Sequence, residues 1–381
     1  MSKLLTQGGF GCVYYPGIKC DGRPNNSKKV ITKLQKMDMS AENEILIGKM
    51  INKIENFHLF FSPVVKSCRV NLANVDRSLL SKCEIIDEKK EKNYILLDML
   101  YINNNQFTEL IKKMSKKNLI VTIFETYIFL LGSLELLLDS KIVHFDLKND
   151  NILYDKITNH PILIDFGISI PIDKINNMNI KDYLYVYAPD YCIWPLDVHI
   201  ITFLLHKTQS TLTKQDAIVI ASDYSKFNKG LESFSDEFKK QYKIFCIEVA
   251  EQYVGMNRNL AIEKLMSSYK TWDNYAISIL YLKSFAFLFE KGFYKNELFI
   301  YFSQLLLTNI SPDSNKRLSV SETKTKFSEM FYTNETVENY VDFVNEFDYS
   351  ERTVTEKIRE DINNLNDILI IKSKKVGRNV S

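Results

Sequence analysis

Glycine and proline are scarce in this chain, 12 and 8 among 381 residues, which excludes a collagen-like repeat and Gly/Pro-rich low-complexity architecture. An excess of one charge is also missing. Lysine and arginine number 49 against 47 aspartates and glutamates, so there is no electrostatic case for nucleic acid as the main partner. The six cysteines (12, 20, 68, 83, 192 and 246) include no C-x-x-C pair. Their scatter reads as free thiols in a reducing compartment rather than a zinc site or disulfide framework, and a cytoplasmic protein is expected. The opening MSKLLTQGGFG lacks the apolar core of a signal peptide. One apolar run, 119–138, is long enough to cross a bilayer, but Glu125 and Glu135 interrupt it. It is expected as a buried core helix, with no membrane span.

Material for a core is plentiful: the chain is 45% hydrophobic, with 21 tyrosines and 24 phenylalanines. That length and composition allow one large two-lobed domain or two ordinary ones. The chemistry concentrates in residues 142–153, IVHFDLKNDNIL, and 163–169, LIDFGIS. Short apolar runs of this kind predict buried strands flanking a loop. Charged groups held there need a partner, a metal or a task. Asp146 could take a proton from a hydroxyl, and Lys148 could balance charge on a phosphoryl group in transfer. Asn151 and Asp165 offer oxygen ligands to a hard cation such as Mg²⁺.

At these residues the chain resembles the eukaryotic-type protein kinases, whose catalytic loop reads H-R-D-L-x-x-x-N and whose metal aspartate opens D-F-G. The resemblance implies an α+β, bilobal fold: a small β-rich N-lobe over 1–100 with one main helix, and a large helical C-lobe over 101–332. It implies ATP and Mg²⁺ (or Mn²⁺) as cofactors and Ser/Thr hydroxyls of proteins as acceptors, since Lys148 stands where tyrosine kinases usually lack lysine. Gly8, Gly11 and Val13 fit the glycine-rich phosphate loop, with Thr6 in place of its first glycine. Lys33 in VITKL matches the phosphate-placing lysine, and Ile31 replaces the small residue over the adenine. The helix after it, expected to begin at a Ser40 N-cap, offers Glu44 or Glu42 as the ion-pair partner of Lys33. Residues 83–98 read as a hairpin, CEII and NYILLDM around a charged turn. Its second strand would put Leu97 behind the adenine pocket and the backbone of Asp98 to Leu100 against the base edge, with Leu153 as a further nucleotide contact.

Beyond D-F-G, Phe145 replaces the catalytic-loop arginine that in many kinases grips a phosphorylated activation segment. Activity independent of such phosphorylation is expected. Arg317 in SPDSNKRLS would pair with Asp190 or Asp197. Of two candidates for the helix that braces the catalytic loop, 272–282 with Asp273 fits better than 197–205, which makes 198–270 a mostly helical insertion. Residues 333–381 suggest two amphipathic helices and a basic end. The insertion or this tail could bind a further protein. The abundance of Asn, Lys, Ile and Tyr, with the WPLD stretch, is similar to kinases of large DNA viruses, where host cytoplasm or virion would be the location. Two rivals remain open: a pseudokinase scaffold, suggested by Thr6, Phe145 and Ser278, and a small-molecule kinase, which Lys148 and Phe166 argue against.

Overall fold

The computed structural model describes residues 2–9, 11–86, 93–206, 211–290 and 297–332. The chain divides into two compact units, Met1–Lys112 with Leu136–Ile175, and Lys113–Glu135 with the residues from Asn176 on. The first unit takes in the five-stranded N-terminal sheet together with the strands on either side of residues 144–151.

The first unit starts with strands β1 (Lys3–Gly8), β2 (Gly11–Tyr15) and β3 (Val30–Lys36), helix α1 (Met39–Ile51), and strands β4 (Phe61–Ser62) and β5 (Val64–Val70). Next come a short helix α2 (Arg77–Leu80), β6 (Tyr94–Leu100), β7 (Asn104–Gln106) and helix α3 (Phe107–Lys113). A five-stranded antiparallel sheet in the order β1-β2-β3-β6-β5 makes β3 its central strand. Alternation along the strands divides the side chains between two faces. Cys12, Tyr14, Leu34, Tyr94 and Leu96 point to one face, where Val75, Leu79, Leu80 and Cys83 cover them. Leu97, Met99 and Ile95 point to the other and pack with Ala41 of α1, Val64, Ile31 and Ile45. Lys33 lies on this second face, because β3 places it in register with Leu97 and Val13.

Helix α1 is capped by Asp38 rather than Ser40: the Asp38 carboxylate accepts the Ala41 N–H at 3.0 Å. Ser40 lies inside the first turn, two residues after the cap.

Two further expectations are corrected here. Cys83–Ile86 form no strand, and β6 pairs with β3 and β5 instead. The turn residues 87–92 lie outside the described residues. The physical reason is burial: Cys83, with Ile85 and Ile86, is drawn into the apolar layer over the sheet. The seven residues of β5 then take the ladder position. Nor are the cysteines all free. Cys12 is bonded to Cys83 and Cys20 to Cys68, each pair with Cα atoms 5.9 Å apart; Cys192 and Cys246 are free thiols. Partners 71 and 48 residues apart become neighbours only once the sheet and its cover have formed, so linear spacing did not show them. The inference to a reducing compartment loses its basis.

Helix α4 (Lys116–Asp139) is followed by β8 (Ile142–Val143), β9 (Ile152–Asp155), β10 (Pro161–Ile164) and β11 (Ile170–Pro171). Strands β4, β10, β9 and β7 form a second sheet in that order, and β11 pairs with β8. Most of α4 is buried, and Thr126 and Tyr127 on it bond Tyr281 and Asn309, as in a core helix.

The second unit adds α5 (Ile180–Tyr183), α6 (Leu196–His206), α7 (Lys214–Phe227), α8 (Asp236–Glu251), α9 (Arg258–Met266) and α10 (Trp272–Lys283). It closes with α11 (Phe285–Glu290), α12 (Glu297–Asn309) and α13 (Val320–Tyr332). Residues 198–270, expected as a mostly helical insertion, carry most of α6 and all of α7, α8 and α9. Helices α6 and α10 are buried nearly all round, which explains their lack of a polar stripe. Of the two candidate aspartates, Asp197 is the one that pairs with Arg317, at 2.8 Å, while Asp190 is exposed. The amphipathic segments expected in 333–381 lie outside the described residues.

Candidate active site

Lys33 stands on the central strand with its side chain almost wholly enclosed. Its ammonium donates to the Glu44 carboxylate at 2.8 Å and to Asp165 at 3.3 Å. The open choice between two acids is thereby resolved, since Glu44 is buried on the inner face of α1 and Glu42 is exposed. Burial opposes the charge on Lys33, but the Glu44 and Asp165 carboxylates outweigh it and hold the ammonium above its ordinary value. Burial likewise works against ionised Asp165. Lys33, helped by Lys148, wins and holds that carboxyl below the usual range. Asp165 keeps 37% of its side chain accessible, so it is ionised and reachable.

The catalytic loop lies between β8 and β9. Asp146 is 6% exposed, and its Oδ2 accepts from Lys148 Nζ at 2.9 Å and from Asn151 Nδ2 at 2.9 Å. Asn151 Nδ2 also donates to the Asp146 carbonyl at 2.8 Å, which closes the loop on itself. The interval of five between Asp146 and Asn151 is what a single tight turn needs for that bond. His144 Nδ1 accepts the Asp146 N–H at 3.3 Å, so Nε2 carries the proton and donates to the Ile164 carbonyl at 3.1 Å. This ring ties the loop to the strand leading into Asp165. Phe145 and Asp165 both have left-handed backbone, φ 68° and 62°, a conformation that costs a non-glycine residue about 1–3 kcal/mol. One of these residues precedes Asp146 and the other is Asp165 itself, so both strained positions lie at a carboxylate of the site.

Gly8 and Gly11 pair in register and close the β1–β2 hairpin. They are glycines for different reasons. A Cβ on Gly11 would lie 2.9 Å from the Leu34 carbonyl oxygen, so packing on β3 demands the residue; a Cβ on Gly8 would meet nothing within 4 Å. Ile31 and Leu97 lie on the Lys33 face, and Leu153 pairs with Ile162 and Gln106 in the second sheet. The expectation for Asp98 to Leu100 is not met. All three sit inside the ladder opposite Thr32, Ile31 and Val30, and the Leu100 carbonyl accepts from Ser62 Oγ at 2.9 Å. The Asp98 side chain points to the opposite face and accepts from Thr32 Oγ1 at 2.7 Å. Ladder pairing therefore uses the backbone that was expected to face a base.

Residues 1–193 match the protein kinase domain. The chain belongs to the protein kinase family. Over 194 residues it is 27% identical to the probable inactive serine/threonine-protein kinase samkD of Dictyostelium discoideum. That match takes in 50% of this chain and spans 30% of the relative's length.

In this kinase domain the donor set fits a divalent cation that keeps most of its own water. Among the described residues no group of three or more His, Cys, Asp or Glu forms a closed cage. Mg²⁺ is usually held by one or two carboxylates together with phosphate oxygens. Asp165 supplies an ionised, accessible carboxylate. Asn151 has its amide nitrogen committed to Asp146, which leaves its oxygen as the end able to face a metal. One contributor was missed by sequence reasoning: Asn43, beside Glu44 on α1, whose amide bonds the chain just after Asp165. An amide in a helix's first turns looks like a solvated residue, and its only signal was its place next to the buried glutamate.

Proposed function

We propose that the chain is an active kinase that transfers the γ-phosphoryl group of ATP to Ser/Thr hydroxyls of proteins, without needing phosphorylation of residues 168–187. The observation that carries this is the enclosed trio in which Lys33 bridges Glu44 and Asp165 while Lys148 and Asn151 hold Asp146. Asp146 orients the acceptor hydroxyl and takes its proton, Lys148 offsets charge beside it, and Lys33 places the phosphates. Gly8 and Gly11, with Val13, cover the nucleotide; Ile31, Leu97 and Leu153 give it apolar contact. Asn151 and Asp165 would hold Mg²⁺, or Mn²⁺, which when bound neutralises phosphate charge. Lys148 favours Ser/Thr acceptors. Phe145, in place of an arginine, leaves no guanidinium at that position to read a phosphate.

The Dictyostelium relative is named a probable inactive kinase, which favours a second reading, a nucleotide-binding scaffold. One experiment separates the two. Phosphatase-treated protein is assayed for label transfer from ATP to a generic basic protein, beside Asp146→Asn. The expected result is transfer by the wild type and a loss of about a hundredfold or more in the variant, with nucleotide affinity nearly intact. Nucleotide binding without transfer by the untreated and treated wild type would establish the scaffold instead, and undiminished turnover in Asp146→Asn would remove the role given to that carboxylate.

A further inference from the structure

The first turns of α1 present Ser40, Asn43 and Glu44 on one face, as spacings of three and four require. Glu44 reaches Asp165 through Lys33. Asn43 reaches the same stretch by a second route: its Nδ2 donates to the Gly167 carbonyl at 3.1 Å and to the Ser169 carbonyl at 2.8 Å. Ser40 Oγ adds a longer bond to the Gly167 carbonyl, 3.4 Å. The approach is close enough that a Cβ on Gly167 would come within 3.1 Å of Ser40 Oγ. The orientation of the Asn43 amide is forced. Turning it over would set its oxygen against two carbonyl oxygens, and in the observed orientation that oxygen is buried with no hydrogen-bond partner. An unpaired buried acceptor is costly, so the arrangement is retained at the expense of one polar atom.

From the other side, Ser169 Oγ donates to the His144 carbonyl at 2.9 Å, and β11 pairs with β8. Residues 165–171 are therefore held to α1 by side-chain bonds, and to the catalytic loop by the Ser169 hydroxyl and the backbone pairing of β11 with β8. We infer that Asn43 is a positioning residue: it fixes the segment after Asp165 to α1 and so sets the direction of the metal-binding carboxylate, the task that a phosphate and its arginine would otherwise perform. The inference rests on the functional reading above and specifies how that site is kept assembled.

The test uses the full chain and two variants. Asn43→Asp keeps the shape but removes both donors and places a negative charge against two carbonyls. Asn43→Ala removes the donors without the charge. Hydrogen exchange without nucleotide should quicken at least tenfold at Ile168–Ile170 in Asn43→Asp and less in Asn43→Ala, while strand β3 amides keep their wild-type rates. ADP affinity is then measured with and without Mg²⁺. The gain that Mg²⁺ confers should shrink tenfold or more in Asn43→Asp and about threefold in Asn43→Ala, with the Mg²⁺-free affinity within twofold of wild type. A general loss of fold would instead speed exchange everywhere and weaken binding in both conditions. Unchanged exchange at Ile168–Ile170 in folded variants overturns the inference, as does an unchanged Mg²⁺ gain. A wild type that binds Mg²⁺-ADP but transfers no phosphate, with the variants behaving as described, upholds the clamp and refutes only the transfer reading.

Discussion

His199 on α6 has its ring buried among aromatic side chains. Its Nε2 faces the Trp194 carbonyl at 3.1 Å, while Nδ1 is buried without a hydrogen-bond partner. The ring is therefore the neutral tautomer with the proton on Nε2. Burial pushes its pKa down to about 4, although the Trp194 carbonyl and the charge of Asp197 pull the other way. In the unfolded chain an ordinary histidine titrates near 6.5. Between these two values the unfolded state takes up a proton that the folded state refuses, so stability falls as the pH drops through that window. The full loss is on the order of 3 kcal/mol. Urea midpoints measured at pH 7, 5.5 and 4.5 should fall in the wild type, and His199→Leu should lose that part of the slope. An equal slope in both proteins would mean that the imidazole titrates in the fold as it does in the unfolded chain. Asp165 behaves in the opposite chemical sense: its lowered pKa makes its pairing with Lys33 persist until the pH falls below the ordinary carboxylate range.

The β1–β2 hairpin has more than its strand pairing to hold it. Cys12 on β2 is bonded to Cys83 in the cover over the sheet. Beside that bond, Gln7 Nε2 donates to Glu84 Oε1 at 3.0 Å and the Glu84 N–H returns a bond to Gln7 Oε1 at 3.3 Å. The element that carries Gly8 and Gly11 is thus pinned to residues 71 positions further along the chain. Cross-linking a loop of that length restricts the unfolded chain and commonly contributes about 2–5 kcal/mol. Cys83→Ser should lower the melting temperature by several degrees, and wild type unfolded in excess dithiol, which opens both disulfides, should match the double variant Cys83→Ser/Cys68→Ser. Reductant should have no further effect on the double variant Cys83→Ser/Cys68→Ser. If the single variant melts with the wild type under oxidising conditions, the cross-link is not contributing. This element also shows where sequence reading stops. The glycines, Val13 and Lys33 were legible because a phosphate loop and a lysine strand have fixed local spacing. The cover was not, because Cys83–Ile86 have strand-like composition and only the apolar face beneath them decides that they leave the ladder. The same competition hid β5 and carried the backbone of Asp98 to Leu100 into the sheet.

Across the whole chain, what could be read in advance was chemistry confined to short motifs. His144, Asp146, Lys148, Asn151 and Asp165 stand close to one another in sequence, and their loop closes through bonds of five residues or fewer at Asp146. Choices between distant partners stayed open, since composition is silent about which of two aspartates meets an arginine far along the chain. The fold resolves one such choice by joining Arg317 to Asp197 across 120 residues, with side chains 0% and 2% exposed. The two halves of this buried pair are not equivalent. Asp197 also accepts from Trp272 Nε1 at 2.6 Å and from Ser268 Oγ, so it retains partners if the arginine is removed. Among the described residues Arg317 has no other hydrogen-bond acceptor: its Nε and Nη1 lack partners, and only the Tyr275 ring lies near, 6.0 Å from the guanidinium carbon. Breaking a buried pair so that a charge is stranded costs about 3–5 kcal/mol, whereas replacing a poorly satisfied ion by an apolar chain of similar size costs far less. Asp197→Ala should therefore destabilise by about 3–5 kcal/mol and Arg317→Met by about 1–2 kcal/mol. The double variant should lie closer to Arg317→Met than to the sum of the two, because the stranded guanidinium is gone. Equal costs for the two single changes in urea unfolding would show that the aspartate's bonds to Trp272 and Ser268 do not sustain it, and that the pair acts only as a pair.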